Sequence, residues 1–135
     1  MIIDGHYDFT FRNNVQNPKL CRGNNYYNKE LIDLVLKIDP KIKLGKYGWV
    51  LGPTYETKAE IQNMRDHGVN AVGMSTIPEV LMAHKLKINI LVLDLMSNYA
   101  VGLTTDDLTH KKVLENSIKY NQKFKLLLTN IISKI

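Results

Sequence analysis

Apolar residues along the chain follow two periods. Over Asn28 to Ile38, "NKELIDLVLKI", Leu31, Leu34, Val35 and Ile38 recur at helical spacing behind an asparagine suited to the N-cap, and Asp39 and Pro40 stop the helix. "YGWVLGP", Tyr47 to Pro53, is a short apolar run bounded by glycine and proline, as a buried strand that ends abruptly would be. Thr57 and Glu60 in "TKAE" form a capping box for the next helix, which ends at His67 and Gly68. "NAVGM", Asn70 to Met74, reads as another strand, and Thr76 with Glu79 repeats the capping box around Pro78 for a helix running to about Lys85. "INILVLDLM", Ile88 to Met96, is almost continuously apolar, which predicts a central strand covered on both faces. A polar loop containing "NYAVGLTTDD" leads to a long helix after Thr109, whose Val113, Tyr120, Phe124, Leu127 and Ile131 pack on the sheet. Met1 to Gly23, with "FRNN" and "QNP", reads as a long loop because asparagine and proline favour turns.

Strands alternating with helices predict an α/β fold, a mostly parallel sheet with helices on both faces, in which residues 47–135 alternate and residues 1–46 are loop-rich with one helix. Ligands in such sheets bind outside the carboxyl ends of the strands. That rule selects Gly52 to Thr57, Met74 to Thr76, and Ser97 to about Gly102. Tyr55 and Glu56 offer an aromatic face beside an acceptor, suited to a heterocycle with an N–H, or else a packed tyrosine and a capping glutamate. Ser75 precedes a helix N-terminus, where free N–H groups favour a phosphate; a plain N-cap turn is the alternative. Asn98 can donate and accept at once, as a purine edge requires, or serve as a turn residue. Asp94 reads as structural, and His110 opens the last helix, over the sheet end or exposed to solvent.

Composition narrows the classes. With 135 residues and 44% hydrophobic content the chain is of single-domain size. Cys21 is the only cysteine, so no internal disulfide forms, and His6, His67 and His84 lack ligand spacing; no metal and no cofactor are expected. No twenty-residue apolar run is present and "MIIDGHYDF" meets an aspartate early, so neither membrane span nor signal peptide is expected and a cytoplasmic location follows. The net charge of +5 raises nucleic-acid binding, but the lysines are scattered, densest in "KIDPKIKLGK", and a solvated surface accounts for them.

Taken in order, "GPTYET", "VGMSTIPEV", "SNYAVGL" and "THKKVLE" resemble the trimeric purine nucleoside phosphorylase family of the inosine and guanosine type, with "QNPKL" a looser continuation. The resemblance covers the C-terminal half of a family member, a single partial domain over residues 1–135. By position, it implies that Glu56 accepts the purine N1 hydrogen, that Asn98 contacts O6 and N7 and stabilises the leaving base, and that His110 reaches the ribose 5'-hydroxyl. It places Tyr55 beside base and ribose, Val72 in the base pocket, Met74 under the sugar and Ser75 on phosphate. Asn98 implies 6-oxopurines, since the methylthioadenosine branch carries aspartate there. Ser97 stands where threonine is usual, and the phenylalanine lent to a neighbouring subunit matches Phe11 or Phe9, or is absent. The implied reaction is phosphorolysis in purine salvage, a glycosyl transfer with phosphate as co-substrate and no cofactor, by a homotrimer. The family's phosphate loop, its arginine and histidine pair and a ribose-contacting tyrosine lie in the other half. The chain is therefore expected to be one part of a split enzyme with a separately encoded N-terminal half, or a truncated remnant or purine-binding module without turnover; a basic nucleic-acid module is a third reading.

Overall fold

The computed structural model describes residues 1–12, 17–104 and 110–135, apart from the side chains of His110 and Lys112. Its elements run β1 (Ile2–Asp8), β2 (Cys21–Arg22), α1 (Lys29–Ile38), β3 (Leu44–Trp49), α2 (Lys58–Asp66), β4 (Ala71–Gly73), α3 (Ile77–Leu86), β5 (Val92–Leu93) and α4 (His110–Ile132). Strands β1, β3 and β4 are parallel neighbours, Ile2 to Asp8 pairing with Leu44 to Trp49 and Tyr47 to Trp49 with Ala71 to Gly73. The two-residue strands β2 and β5 both pair antiparallel with the remaining edge of β1, at Gly5–His6 and at Ile2–Ile3.

Helices cover both faces of this sheet. Tyr47 and Trp49 join Ile32 and Val35 of α1, Ile77 and Val80 of α3 and Ile131 of α4 in one core. Gly48, pointing the other way, lies under Met64 of α2 and Val69, which an added Cβ would meet at 3.3 and 3.2 Å. Each fully buried isoleucine or valine contributes about 1.5–3 kcal/mol relative to an exposed one.

Two helix starts follow their local chemistry. Asn28 caps α1, its side chain accepting from the Leu31 N–H at 2.9 Å. Thr57 and Glu60 form the expected reciprocal box on α2, with Glu60 accepting from the Thr57 N–H at 2.7 Å. Each cap is worth about 1 kcal/mol. The corresponding box at α3 does not form: Thr76 makes no side-chain cap bond and sits at φ 76°.

Other expectations are corrected. Met1 to Gly23 is not a long loop, because β1 is an interior strand paired along both edges, with Ile2, Ile3 and His6 fully buried. Its turn-like residues serve the pairing: Gly5 lets β2 approach, where a Cβ would meet Leu20 at 3.0 Å and Arg22 at 3.3 Å. Residues 1–46 thus contribute β1, β2, α1 and the first half of β3 rather than loops with one helix. Ile88 to Met96 is not a central two-sided strand. Only Val92 and Leu93 pair, at the periphery, while Ile88 and Met96 are 59% and 45% exposed. β3 starts at Leu44 and ends at Trp49, so Val50 to Pro53 is an exit loop rather than strand. On α4, Ile131 is buried and Val113, Phe124 and Leu127 are half-buried, but Tyr120 is exposed. Thr109, Gln16 and the end of the polar loop lie outside the described residues. Among those described, no helix is long and apolar enough to cross a membrane, and no cluster of three His, Cys, Asp or Glu could hold a metal ion.

The buried polar residue of β1 has a consequence for stability. His6 Nδ1 is 2.7 Å from the Tyr27 hydroxyl, and Tyr26 packs edge-on against its ring. Burial pushes the His6 pKa down to about 4, opposed by the Asp8 carboxylate. The unfolded chain, with a histidine pKa near 6.5, binds this proton more readily than the folded one between those values. The His6 contribution is therefore fully present above about pH 6.5 and is lost as pH falls toward 4, up to about 2–3 kcal/mol. Urea unfolding at pH 7, 5.5 and 4.5 is expected to show this loss, and His6→Gln to flatten its slope; an equal slope in that variant would assign the loss to other groups.

Candidate functional site

The exits of the parallel strands β3 and β4 and the segment after the antiparallel β5 converge on a cleft of about 460 Å³, so the third loop is not the parallel-strand exit the sequence predicts. The β3 exit supplies Tyr55 and Glu56, β4 and its exit supply Val72, Gly73 and Met74, and the segment after β5 supplies Ser97, Asn98 and Tyr99. Val113 of α4 closes one wall. Five of the seven residues expected from sequence therefore line one cavity: Tyr55, Glu56, Val72, Met74 and Asn98. Ser75 is exposed on the turn just beyond Met74 and does not line it. His110 opens α4, and its side chain lies outside the described residues.

Local chemistry explains how these side chains are presented. The capping box fixes Thr57 at the start of α2, so Tyr55 and Glu56 are delivered from the two residues before a rigid helix end. Glu56 is half-buried while Tyr55 is exposed at the mouth. Gly52, at φ 70°, takes a left-handed conformation that suits glycine, and an added Cβ there would collide with the Met74 sulfur. The β3 exit and the Met74 thioether are thus packed directly on one another.

Asn98 is oriented by its neighbours. The Ser97 hydroxyl donates to Asn98 Oδ1 at 2.6 Å, and Asn98 Nδ2 donates to the Tyr99 carbonyl at 3.0 Å. Asn116 of α4 anchors this segment by donating to the Ser97 carbonyl at 2.7 Å. The amide keeps a second lone pair and a second N–H for a ligand. Ser97, seen in the sequence only as a conservative change, thereby decides which way the amide faces; a hydroxyl directly before Asn98 was the available signal.

The turn from β4 to α3 is unusual. The Ile77 N–H bonds the Ser75 carbonyl at 2.9 Å around Thr76 at φ 76°, ψ −49°, a γ-turn of the rare, strained kind. A β-branched residue in that region costs on the order of 1–3 kcal/mol. Asp94, between this cleft and another, is a half-buried carboxylate whose pKa is raised by burial and lowered by the N-terminal ammonium. The other cleft, about 500 Å³ between Leu93 and the Tyr120, Phe124 and Leu127 face of α4, is lined by none of the expected site residues.

The arrangement offers a slot with an acceptor, a two-way amide, an aromatic ring and a thioether. It suits a flat heterocycle carrying both donors and acceptors on its edge.

Comparison with known proteins points the same way. The phosphorylase superfamily matches residues 1–133. Purine nucleoside phosphorylase 1 of Bacillus subtilis (strain 168) is 33% identical over 99% of this chain and 54% of its own length. A probable 6-oxopurine nucleoside phosphorylase of Thermococcus kodakarensis is 35% identical over 68% of this chain and 34% of its own length. The structure of isoform 2 of purine nucleoside phosphorylase from Schistosoma mansoni, in complex with cytosine and ribose-1-phosphate, superposes with a TM-score of 0.85 at 28% identity, covering all of this chain and 54% of that one. The chain spans about half the length of such relatives.

Proposed function

Because the chain belongs to the phosphorylase superfamily, in its purine nucleoside phosphorylase branch, we propose that it carries the base-recognition half of a 6-oxopurine nucleoside phosphorylase site. The observation that carries the reading is the convergence of Glu56, Asn98 and Met74, from three separate sheet exits, on one cleft. In this reading the Glu56 carboxylate accepts the purine N1–H, and the Asn98 amide donates to N7 while meeting O6. Tyr55, Val72 and Met74 flank base and sugar. Ser75 and His110 reach phosphate and the ribose 5'-hydroxyl.

The complete reaction is phosphorolysis. A phosphate oxygen bonds to C1' as the bond from C1' to N9 breaks, the bonding pair leaves on the purine, and the base takes up a proton. Charge develops on the departing purine and on an oxocarbenium-like sugar. Asn98 serves the first, since its amide N–H binds the base more strongly as negative charge develops on it, which is what lowers a barrier, while Glu56 holds the base in place through N1–H. The phosphate loop, the arginine and histidine pair and the ribose-contacting tyrosine that the resemblance implies belong to the other half of the relatives' length. Turnover therefore requires a complementary half, and a cytoplasmic location fits purine salvage. Where the family's trimer forms, Phe11, 53% exposed, is available to a neighbouring subunit, whereas Phe9 is 5% exposed.

Titration of the ¹⁵N-labelled chain with hypoxanthine tests the reading. Saturable shifts at Glu56, Val72, Met74 and Asn98 are expected, with adenine weaker. No saturable shift up to the solubility limit of hypoxanthine would reject purine recognition by this chain. Binding without turnover after the complementary half is added would favour a purine-binding module.

A further inference from the structure

The segment that carries Asn98 has little regular structure to hold it. β5 ends at Leu93, and the Asp94 N–H bonds the Met1 carbonyl at 2.8 Å. Beyond that point, among the described residues, the backbone of residues 95–99 receives one hydrogen bond from the rest of the fold, donated by the Asn116 amide to the Ser97 carbonyl at 2.7 Å. We propose that Asn116 of α4 is a positioning residue of the purine site: through the Ser97 carbonyl it sets the direction in which Asn98 presents its amide to the base.

The place of this bond gives it leverage. The Ser97 carbonyl and the Asn98 N–H belong to one planar peptide unit, which runs from the Ser97 Cα to the Asn98 Cα. A donor on that carbonyl therefore fixes the plane from which the Asn98 side chain departs. Its sense is unambiguous, because a carbonyl only accepts and the Asn116 Nδ2 must donate. The Asn98 amide is then turned by the Ser97 hydroxyl on Oδ1 at 2.6 Å and the Tyr99 carbonyl on Nδ2 at 3.0 Å. Those two bonds lie within the segment and move with it, whereas the Asn116 bond refers it to a helix. The sequence carries a trace of this role. Asn116 is the seventh residue of the 23-residue α4, an interior position where asparagine is disfavoured because its side chain competes for backbone bonds. It is half-buried and bonds a residue nineteen positions earlier. Val113, three residues before it and so on the same side of the helix, lines the cleft. One face of α4 thus walls the cleft and steers the amide inside it. Without the tie the segment can shift, and the free Asn98 N–H then meets N7 off line, where a hydrogen bond weakens steeply once its angle falls below about 120°.

The ligand consequence rests on the purine-site reading; the orientation of Asn98 does not. In the full chain, Asn116→Leu roughly keeps the side chain's size, removes the donor and brings in a better helix former. The hypoxanthine Kd is expected to rise about tenfold, the effect of one lost hydrogen bond. In an Asn98→Ala background the same substitution should change Kd by less than about twofold, because a residue that acts through Asn98 has nothing left to position. In the ligand-free ¹⁵N-labelled chain, the side-chain amide signals of Asn98 should move toward those of a freely solvated amide, while the Val72 and Met74 signals stay in place. A Kd unchanged by Asn116→Leu, an equal loss in both backgrounds, or Asn98 signals that keep their parental positions overturns the proposal. Should the parent or Asn98→Ala bind no hypoxanthine, the Asn98 signals decide; a parent that binds none also ends the purine reading. If Asn116→Leu does not fold, Asn116→Ala is read in the same way, and failure of both to fold overturns the proposal by making Asn116 a residue of stability rather than of position.

Discussion

Glu56→Ala is expected to weaken hypoxanthine binding by about 10- to 150-fold, the range for losing a hydrogen bond to a charged group. The carboxylate is the acceptor among the five converging site residues that is charged, and it stands half-buried at the exit of β3, with the purine N1–H as its proposed partner. Removing it leaves that N–H unpaired in a partly desolvated slot, so the loss exceeds that of a solvent-exposed bond. The fold should be almost unaffected, because the cap of α2 belongs to Thr57 and Glu60. Asn98→Asp is the informative contrast. A carboxylate at that position accepts but does not donate, so hypoxanthine should lose affinity and adenine, with its exocyclic amine, should gain. Calorimetric titration with both bases checks both variants. Parent-like hypoxanthine affinity in Glu56→Ala would remove the carboxylate from base recognition.

The largest change is expected on adding a polypeptide equivalent to the N-terminal half of the relatives. With inosine and phosphate, the chain alone should release hypoxanthine at background rate, because this reading assigns phosphate activation to the other half. Deleting a single preorganised transition-state contact costs about 10²–10³ in rate, and here several are removed together. Complementation should therefore raise turnover by more than about three orders of magnitude. A coupled assay for hypoxanthine measures it directly. The same addition should cover apolar surface that the described residues leave open, including Leu81, Met82 and Leu86 of α3, Ile88, and Leu126 and Ile132 of α4. Exposed apolar side chains in such number promote association, so light scattering should show the isolated chain self-associating and the mixture becoming monodisperse. Robust phosphorolysis by the chain alone would overturn the division of labour between the halves.

Parts of this molecule were legible because their causes are local. The N-cap of α1 at Asn28 and the capping box of α2 at Thr57 and Glu60 depend on residues three apart, and both form as the sequence predicts. β4 and the exits of β3 and β4, which deliver Tyr55, Glu56, Val72 and Met74, follow from alternating strands and helices, and the coupled motifs placed these residues and Asn98 in a known family. Non-local features were not legible. β1 carries glycine, histidine and two aspartates and has no strand pattern of its own; it is a strand because β3 lies along one edge and β2 and β5 along the other. Ile88 to Met96 has the apolarity of a buried strand, yet that edge of β1 leaves it only two paired residues, and composition cannot report which edges are taken. Thr76 and Glu79 have capping-box spacing, but the tight turn closed by the Ile77 N–H on the Ser75 carbonyl holds Thr76 at positive φ, where no cap forms. Spacing along the chain determined where site residues occur; contacts between residues about twenty or more positions apart, Tyr47 with Gly73, Gly52 with Met74 and Asn116 with Ser97, decided how they are held, because hydrogen bonding and close packing act through space and leave no period in the sequence.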